Sequence, residues 1–99
     1  MPQKSLLLVD DEPLIRESLA RELAGATLAV TVAASGEEAV ARLGREWFDV
    51  VVSDLVMPGL DGFQVLKAAK RKDRAIAVIL LTGFGDMDTA IDALRLGAD

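Results

Sequence analysis

The residues best suited to chemistry in this sequence are carboxylates that follow apolar runs. Asp54 closes Val50-Val51-Val52-Ser53, while Asp10 and Asp11 follow Leu6-Leu7-Leu8-Val9. A third run, Ile79-Leu80-Leu81, ends in the hydroxyl of Thr82. Short runs of this kind read as buried strands, each delivering a polar group to one edge of a sheet. In open α/β sheets that edge, outside the carboxyl ends of the strands, is where ligands bind.

Two carboxylates about 5 Å apart at an effective dielectric of about 20 repel by roughly 3 kcal/mol. Either one is protonated at neutral pH or a cation sits between them. The sequence holds no cysteine and no histidine, so the ligands are hard oxygens and Mg2+ is the natural cation. Such a site predicts phosphoryl chemistry with Asp54 as nucleophile. The Thr82 hydroxyl and the backbone N–H groups of Val56 and Gly83 would then meet the phosphoryl oxygens. Asp10, Asp11 and Glu12 taken alone are better explained as favourable charges at a helix N-terminus. Their combination with Asp54 and Thr82 is what argues for a site.

The 99 residues suit one domain with a modest core, and 52% apolar with 27% charged residues describes a soluble globular chain. Sixteen acids against eleven bases give a net charge of −5, which argues against nucleic acid as a direct partner. No apolar run approaches the roughly 20 residues that span a bilayer, and the N-terminus does not read as a signal peptide. A cytoplasmic location is the default expectation. Lys67, Lys70, Arg71, Lys72 and Arg74 form a basic cluster that reads as a solvated complement to a helix dipole.

The elements that must position these groups alternate. A strand over Ser5 to Asp10 leads into a helix with Pro13 in its first turn and Ile15, Leu19 and Leu23 inward, ending near Gly25. A second strand, Thr27 to Ala33, precedes a helix with a capping box at Ser35 and Glu38, lined by Val40, Leu43 and Trp47. After the third strand, Asp61 caps a helix with Phe63, Leu66 and Ala69 inward. Ala75 to Leu81 forms a fourth strand covered on both faces, and Asp86 opens a fourth helix that stops at Gly97. Trp47, Met57 and Phe63 read as core or turn packing. Four β-α repeats predict an α/β, doubly wound parallel sheet with right-handed crossovers.

Three segments in order, Leu8-Val9-Asp10-Asp11-Glu12-Pro13, Asp54-Leu55-Val56-Met57-Pro58-Gly59-Leu60-Asp61-Gly62 and Leu81-Thr82-Gly83, resemble the receiver domain of bacterial two-component response regulators. The resemblance covers the whole chain. It implies a flavodoxin-like sheet in the order 2-1-3-4, Asp54 as phosphoacceptor, Mg2+ held by Asp10, Asp11, Asp54 and the Val56 carbonyl, and Thr82 as switch hydroxyl. It further implies a phosphohistidine donor on a sensor histidine kinase and an output domain or downstream partner, the chain acting as phosphoacceptor and not as an enzyme. Thr82 through Asp99 is similar to receivers attached to AAA+ transcriptional activators.

Receivers continue into a fifth strand, which ends in a lysine, and a fifth helix, whereas this sequence ends at Asp99. Lys4, Lys67, Lys70 and Lys72 are placed too far from the site to substitute. The expectation is therefore one receiver domain over residues 1–99, incomplete at its C-terminus and phosphorylated more weakly. An open fourth-strand edge predicts either self-association or poor stability. The competing readings are a phosphorylation-independent interaction module and a Mg2+-dependent phosphohydrolase. The latter ranks last because Val56 stands where a general acid would be needed.

Overall fold

Aliphatic runs become strands and the amphipathic stretches between them become helices in the computed structural model, which describes residues 3–25 and 28–81. The order is β1 (Lys4–Val9), α1 (Pro13–Leu23), β2 (Leu28–Ala33), α2 (Gly36–Arg45), β3 (Val50–Asp54), α3 (Gly62–Lys72) and β4 (Ala77–Leu81). The strands form one parallel sheet in the order β2-β1-β3-β4. This is the doubly wound α/β architecture expected from the sequence. The fourth helix, expected from Asp86, lies outside the described residues, and none of the described helices is long and apolar enough to cross a membrane.

Side chains alternate across the central strands, so each strand feeds two cores. Leu6 and Leu8 of β1 and Val50 and Val52 of β3 pack with Leu19 and Leu23 of α1. Leu7, Val9 and Val51 face the other way, toward Ala39 and Leu43 of α2 and Val65 and Ala69 of α3. Burial on both faces explains why β1 and β3 read as unbroken apolar runs. β4 departs from that expectation. It pairs only with β3 among the described residues, and all but Leu81 of its side chains are half-buried.

Two aromatic side chains also depart from expectation. α2 ends at Arg45, so Trp47 lies beyond the helix and is 48% exposed, while Phe48 beside it is buried. In α3 the Asp61 carboxylate accepts from the Gln64 N–H at 3.0 Å and the Gln64 side chain accepts from the Asp61 N–H at 2.9 Å. That reciprocal cap starts the helix at Gly62 and sets its phase, so Gly62, Val65 and Ala69 face inward. Phe63 consequently points outward, 53% exposed, and Leu66 is half-buried. The Ser35 cap forms as expected, accepting from the Glu38 N–H at 3.1 Å, but the Glu38 carboxylate reaches the Ala34 N–H.

Part of the basic cluster is internal wiring. Lys72 Nζ donates to the carbonyls of Leu43 and Glu46 at the end of α2, and Lys70 Nζ donates to those of Arg74 and Ile76. The last carbonyls of a helix lack intrahelical partners and carry its negative dipole end, so an ammonium is well placed there.

At the end of the sheet remote from Asp54, one carboxylate joins β1 to the start of β3. Asp49 Oδ2 accepts from the Ser5 N–H at 2.8 Å, and Oδ1 accepts from the Trp47 indole N–H at 3.0 Å. The Ser5 N–H, followed by that indole, holds the Asp49 carboxyl below its ordinary value of 3.8. A depressed folded pKa means stabilisation that is complete above the unfolded value and lost as pH falls through the folded one. Asp49→Ala is expected to cost about 1.5–3 kcal/mol at neutral pH. Urea titrations should show that difference closing on acidification below about pH 4; a constant difference would refute the charged contact.

Candidate functional site

β1 and β3 are neighbours in parallel register, Val9 opposite Ser53, so the residues that follow them emerge side by side. Asp10 continues from β1 and is tied to β2 by its N–H, which donates to the Ala33 carbonyl at 3.2 Å. Its side chain turns back to accept from the Glu12 N–H at 2.9 Å. Glu12 caps α1 in position only, with no side-chain bond. Asp10 therefore stiffens the three-residue loop between strand and helix and is left only 3% exposed.

Asp54 closes β3 half-buried, with its Oδ1 3.3 Å from the Val56 N–H. Carboxylate oxygens of Asp10, Asp11 and Asp54 lie within 4.8 Å of one another. The structure thus assembles three of the residues singled out from sequence. Val56 stands in the adjoining loop with its side chain 76% exposed, so only its backbone has business with the site. Thr82 directly follows Leu81, the partner of Asp54 in the β3–β4 register, but Thr82 and Gly83 lie outside the described residues.

Burial pushes the Asp10 carboxyl above its ordinary value, and the charges of Asp54 and Asp11 push the same way. The Glu12 N–H and the Arg16 guanidinium oppose them. Ionised, this cluster is uncomfortable without a counter-charge. Three hard carboxylate oxygens, one exposed at Asp11, one half-exposed at Asp54 and one buried, fit Mg2+, which keeps several waters. Asp10→Asn keeps an oxygen for the Glu12 N–H and removes a repelled charge. It is expected to stabilise the metal-free chain by about 1–2 kcal/mol, the Coulomb term discounted for the exposure of its neighbours. The same variant should lose most of its Mg2+ affinity. Melting and calorimetric titration together check both signs, and a destabilised variant would contradict the repulsion.

Four residues to which the sequence alone assigns no role at the site also shape it. Arg16 Nη1 donates to the Asp10 carbonyl at 3.0 Å; no short-range spacing marks that bond in advance. Ser53, wholly buried, donates its hydroxyl to the Asp54 carbonyl at 3.0 Å. Gly62 and Gly36 press the loop after Asp54 from two sides: a Cβ on Gly62 would stand 2.6 Å from the Asp54 carbonyl oxygen, and one on Gly36 2.3 Å from that of Leu60.

Residues 6–99 match the response regulator receiver domain family. Among curated proteins, the C4-dicarboxylate transport transcriptional regulatory protein DctD of Pseudomonas aeruginosa is 38% identical over 97% of this chain and 21% of its own length. The DNA-binding transcriptional regulator NtrC of Salmonella typhimurium is 42% identical over 92% of this chain and 19% of its own. The chain spans about a fifth of the length of these relatives. Among solved structures, the response regulator TrrA of Thermotoga maritima, in complex with Mg2+ and BeF, superposes with a TM-score of 0.77 at 34% identity, over 98% of this chain and 83% of that one. A CheY-like receiver domain protein from Methanospirillum hungatei gives 0.78 at 28% identity, over 99% and 78%. By sequence over nearly its whole length, and by a sheet that carries its acidic cluster where strands β1 and β3 end, the chain belongs to the response regulator receiver domain family.

Proposed function

We propose that this chain is a phosphoryl-accepting signalling switch of a two-component system, with Asp54 as the acceptor. The observation that carries the reading is the meeting of three carboxylate oxygens within 4.8 Å beyond the ends of β1 and β3. Asp10, Asp11, Asp54 and the Val56 carbonyl would hold Mg2+. When bound, the ion supplies charge neutralisation for phosphoryl oxygens and screens the carboxylate from its anionic donor.

The chain's own part is nucleophile and orientation. An Asp54 carboxylate oxygen attacks phosphorus as the bond from phosphorus to the donor breaks, and the donor leaves with that electron pair. Asp10 is itself fixed by the Glu12 N–H, which holds one carboxylate of the site in a set orientation. The Val56 N–H, already at 3.3 Å from Asp54, is positioned to meet a transferred oxygen. Thr82 is proposed as the hydroxyl that follows the phosphoryl group and couples it to a second arrangement of the fold.

The donor proposed is a phosphohistidine on a sensor histidine kinase, consistent with the absence of histidine from these 99 residues. Relatives that are transcriptional regulators, each about five times the length of the match, support an output region or downstream partner as the reader. A cytoplasmic location and the absence of direct nucleic-acid contact, in keeping with the net charge of −5, belong to the same proposal. Intact-mass spectrometry after incubation with Mg2+ and a small acyl phosphate is the test. One added phosphoryl group, absent when Mg2+ is chelated, is expected. A folded chain that stays unmodified would favour a phosphorylation-independent interaction module.

A further inference from the structure

We propose that Arg16 is a positioning residue for the metal site: its guanidinium holds the backbone of the Asp10-Asp11-Glu12 loop so that Asp11 stands against Asp10 and Asp54. The inference rests on the phosphoacceptor reading above and deepens it.

The loop joining β1 to α1 is only three residues long, and its hydrogen bonds can be followed one by one. The Asp10 N–H goes to Ala33, and the Asp10 side chain takes the Glu12 N–H. The Glu12 carbonyl takes the Arg16 N–H at 2.9 Å, opening the first turn of α1. The Asp10 carbonyl remains, in a residue 3% exposed, and Arg16 Nη1 is its donor at 3.0 Å. A buried carbonyl without a partner is costly, so this bond fixes the orientation of the peptide between Asp10 and Asp11.

Asp11 depends on that peptide more than its neighbours do. Among the described residues Asp10 and Asp54 each accept a backbone N–H, whereas no hydrogen bond holds the exposed Asp11 carboxylate. With no contact of its own to fix it, the positions its oxygen can reach are decided by the peptide that carries it. Arg16 reaches that backbone from α1 and forms no ion pair with the three carboxylates, leaving their oxygens free for a cation. The guanidinium is half-buried and planar, suited to a fixed bond in a way a flexible ammonium is not.

Electrostatics and positioning predict opposite signs here, which makes the role testable. Removing a cation beside three carboxylates should tighten Mg2+ binding if charge alone matters. Releasing the loop should weaken it. Mg2+ alone is titrated calorimetrically into the wild type, Arg16→Gln, Arg16→Lys and Arg21→Gln, the last removing the same charge from the same helix. Thermal unfolding without Mg2+ reports which chains are folded.

Arg16→Gln is expected to weaken Mg2+ affinity about tenfold, as loss of an outer-shell partner does. Arg16→Lys should recover part of that loss, and Arg21→Gln should leave affinity within about twofold of wild type, because the exposed charge is screened. A folded Arg16→Gln that binds as tightly as wild type, or more tightly, overturns the proposal. Should that variant fail to fold, Arg16→Lys is read in its place, and unchanged affinity there overturns it equally. A wild type that takes no Mg2+ sinks the phosphoacceptor reading and this inference together, whereas normal wild-type binding with an indifferent Arg16 sinks only the second.

Discussion

Asp54→Asn is expected to take up no phosphoryl group under conditions that modify the wild type fully. The amide keeps the shape of the side chain and an oxygen for the Val56 N–H, now 3.3 Å from Asp54 Oδ1, so the fold should survive. What it lacks is the anionic oxygen that attacks phosphorus, and no smaller change removes so much. Asp10 and Asp11 lie within reach of the same space, yet neither is equivalent. Asp10 is 3% exposed with a hydrogen bond to satisfy, and Asp11 sits on the solvent side. Intact mass should therefore show a single adduct in the wild type and none in the variant. An adduct that persists would move the acceptor to another residue. Sensitivity of the wild-type adduct to hydroxylamine, which cleaves acyl phosphates and spares hydroxyl esters, separates a carboxylate acceptor from a serine or threonine.

The acidic cluster was legible in the sequence because each acid ends an apolar run, and parallel strands at neighbouring places in a sheet deliver their ends to one edge. The sheet order came from family resemblance, since alternating strands and helices fix parallel pairing but not which strands are neighbours. Helix phase is less legible, for local reasons. Gln64 completes the cap at Asp61, and a start at Gly62 turns Phe63 outward, whereas its spacing from Leu66 and Ala69 places that ring inside. Its spacing from Leu43 places Trp47 on α2, but the helix ends at Arg45 and the indole is held by Asp49. Lys72 illustrates a different limit. Its bonds to Leu43 and Glu46 join residues 29 and 26 positions apart, a distance over which one-dimensional patterns carry no signal. The bond from Arg16 to the Asp10 carbonyl spans six positions, and a side chain that serves the backbone leaves no trace in residue types.

The loop after Asp54 should be intolerant of a single methyl group. A Cβ on Gly62 would stand 2.6 Å from the Asp54 carbonyl oxygen and 2.8 Å from Leu55 Cα. Both are backbone atoms, which cannot rotate aside as a flexible side chain can. The Gly62 N–H also donates to the Leu55 carbonyl at 3.0 Å, binding the first residue of α3 to the residue that follows the acceptor. Gly62→Ala therefore forces α3 away from β3 and shifts Asp54 with it. Overpacking of this kind costs about 1–3 kcal/mol, against which the better helix propensity of alanine returns at most about 1 kcal/mol. Gly44 supplies the contrast, for it lies in α2 with nothing within 4 Å of a built Cβ. Gly44→Ala is expected to stabilise by about 0.5–1 kcal/mol. Urea midpoints for the two variants should move in opposite directions, and only Gly62→Ala should weaken Mg2+ binding. Equal stability for Gly62→Ala and wild type, with Mg2+ affinity unchanged, would mean that the loop yields without displacing Asp54, and the close packing of α3 on β3 would not be what places the acceptor.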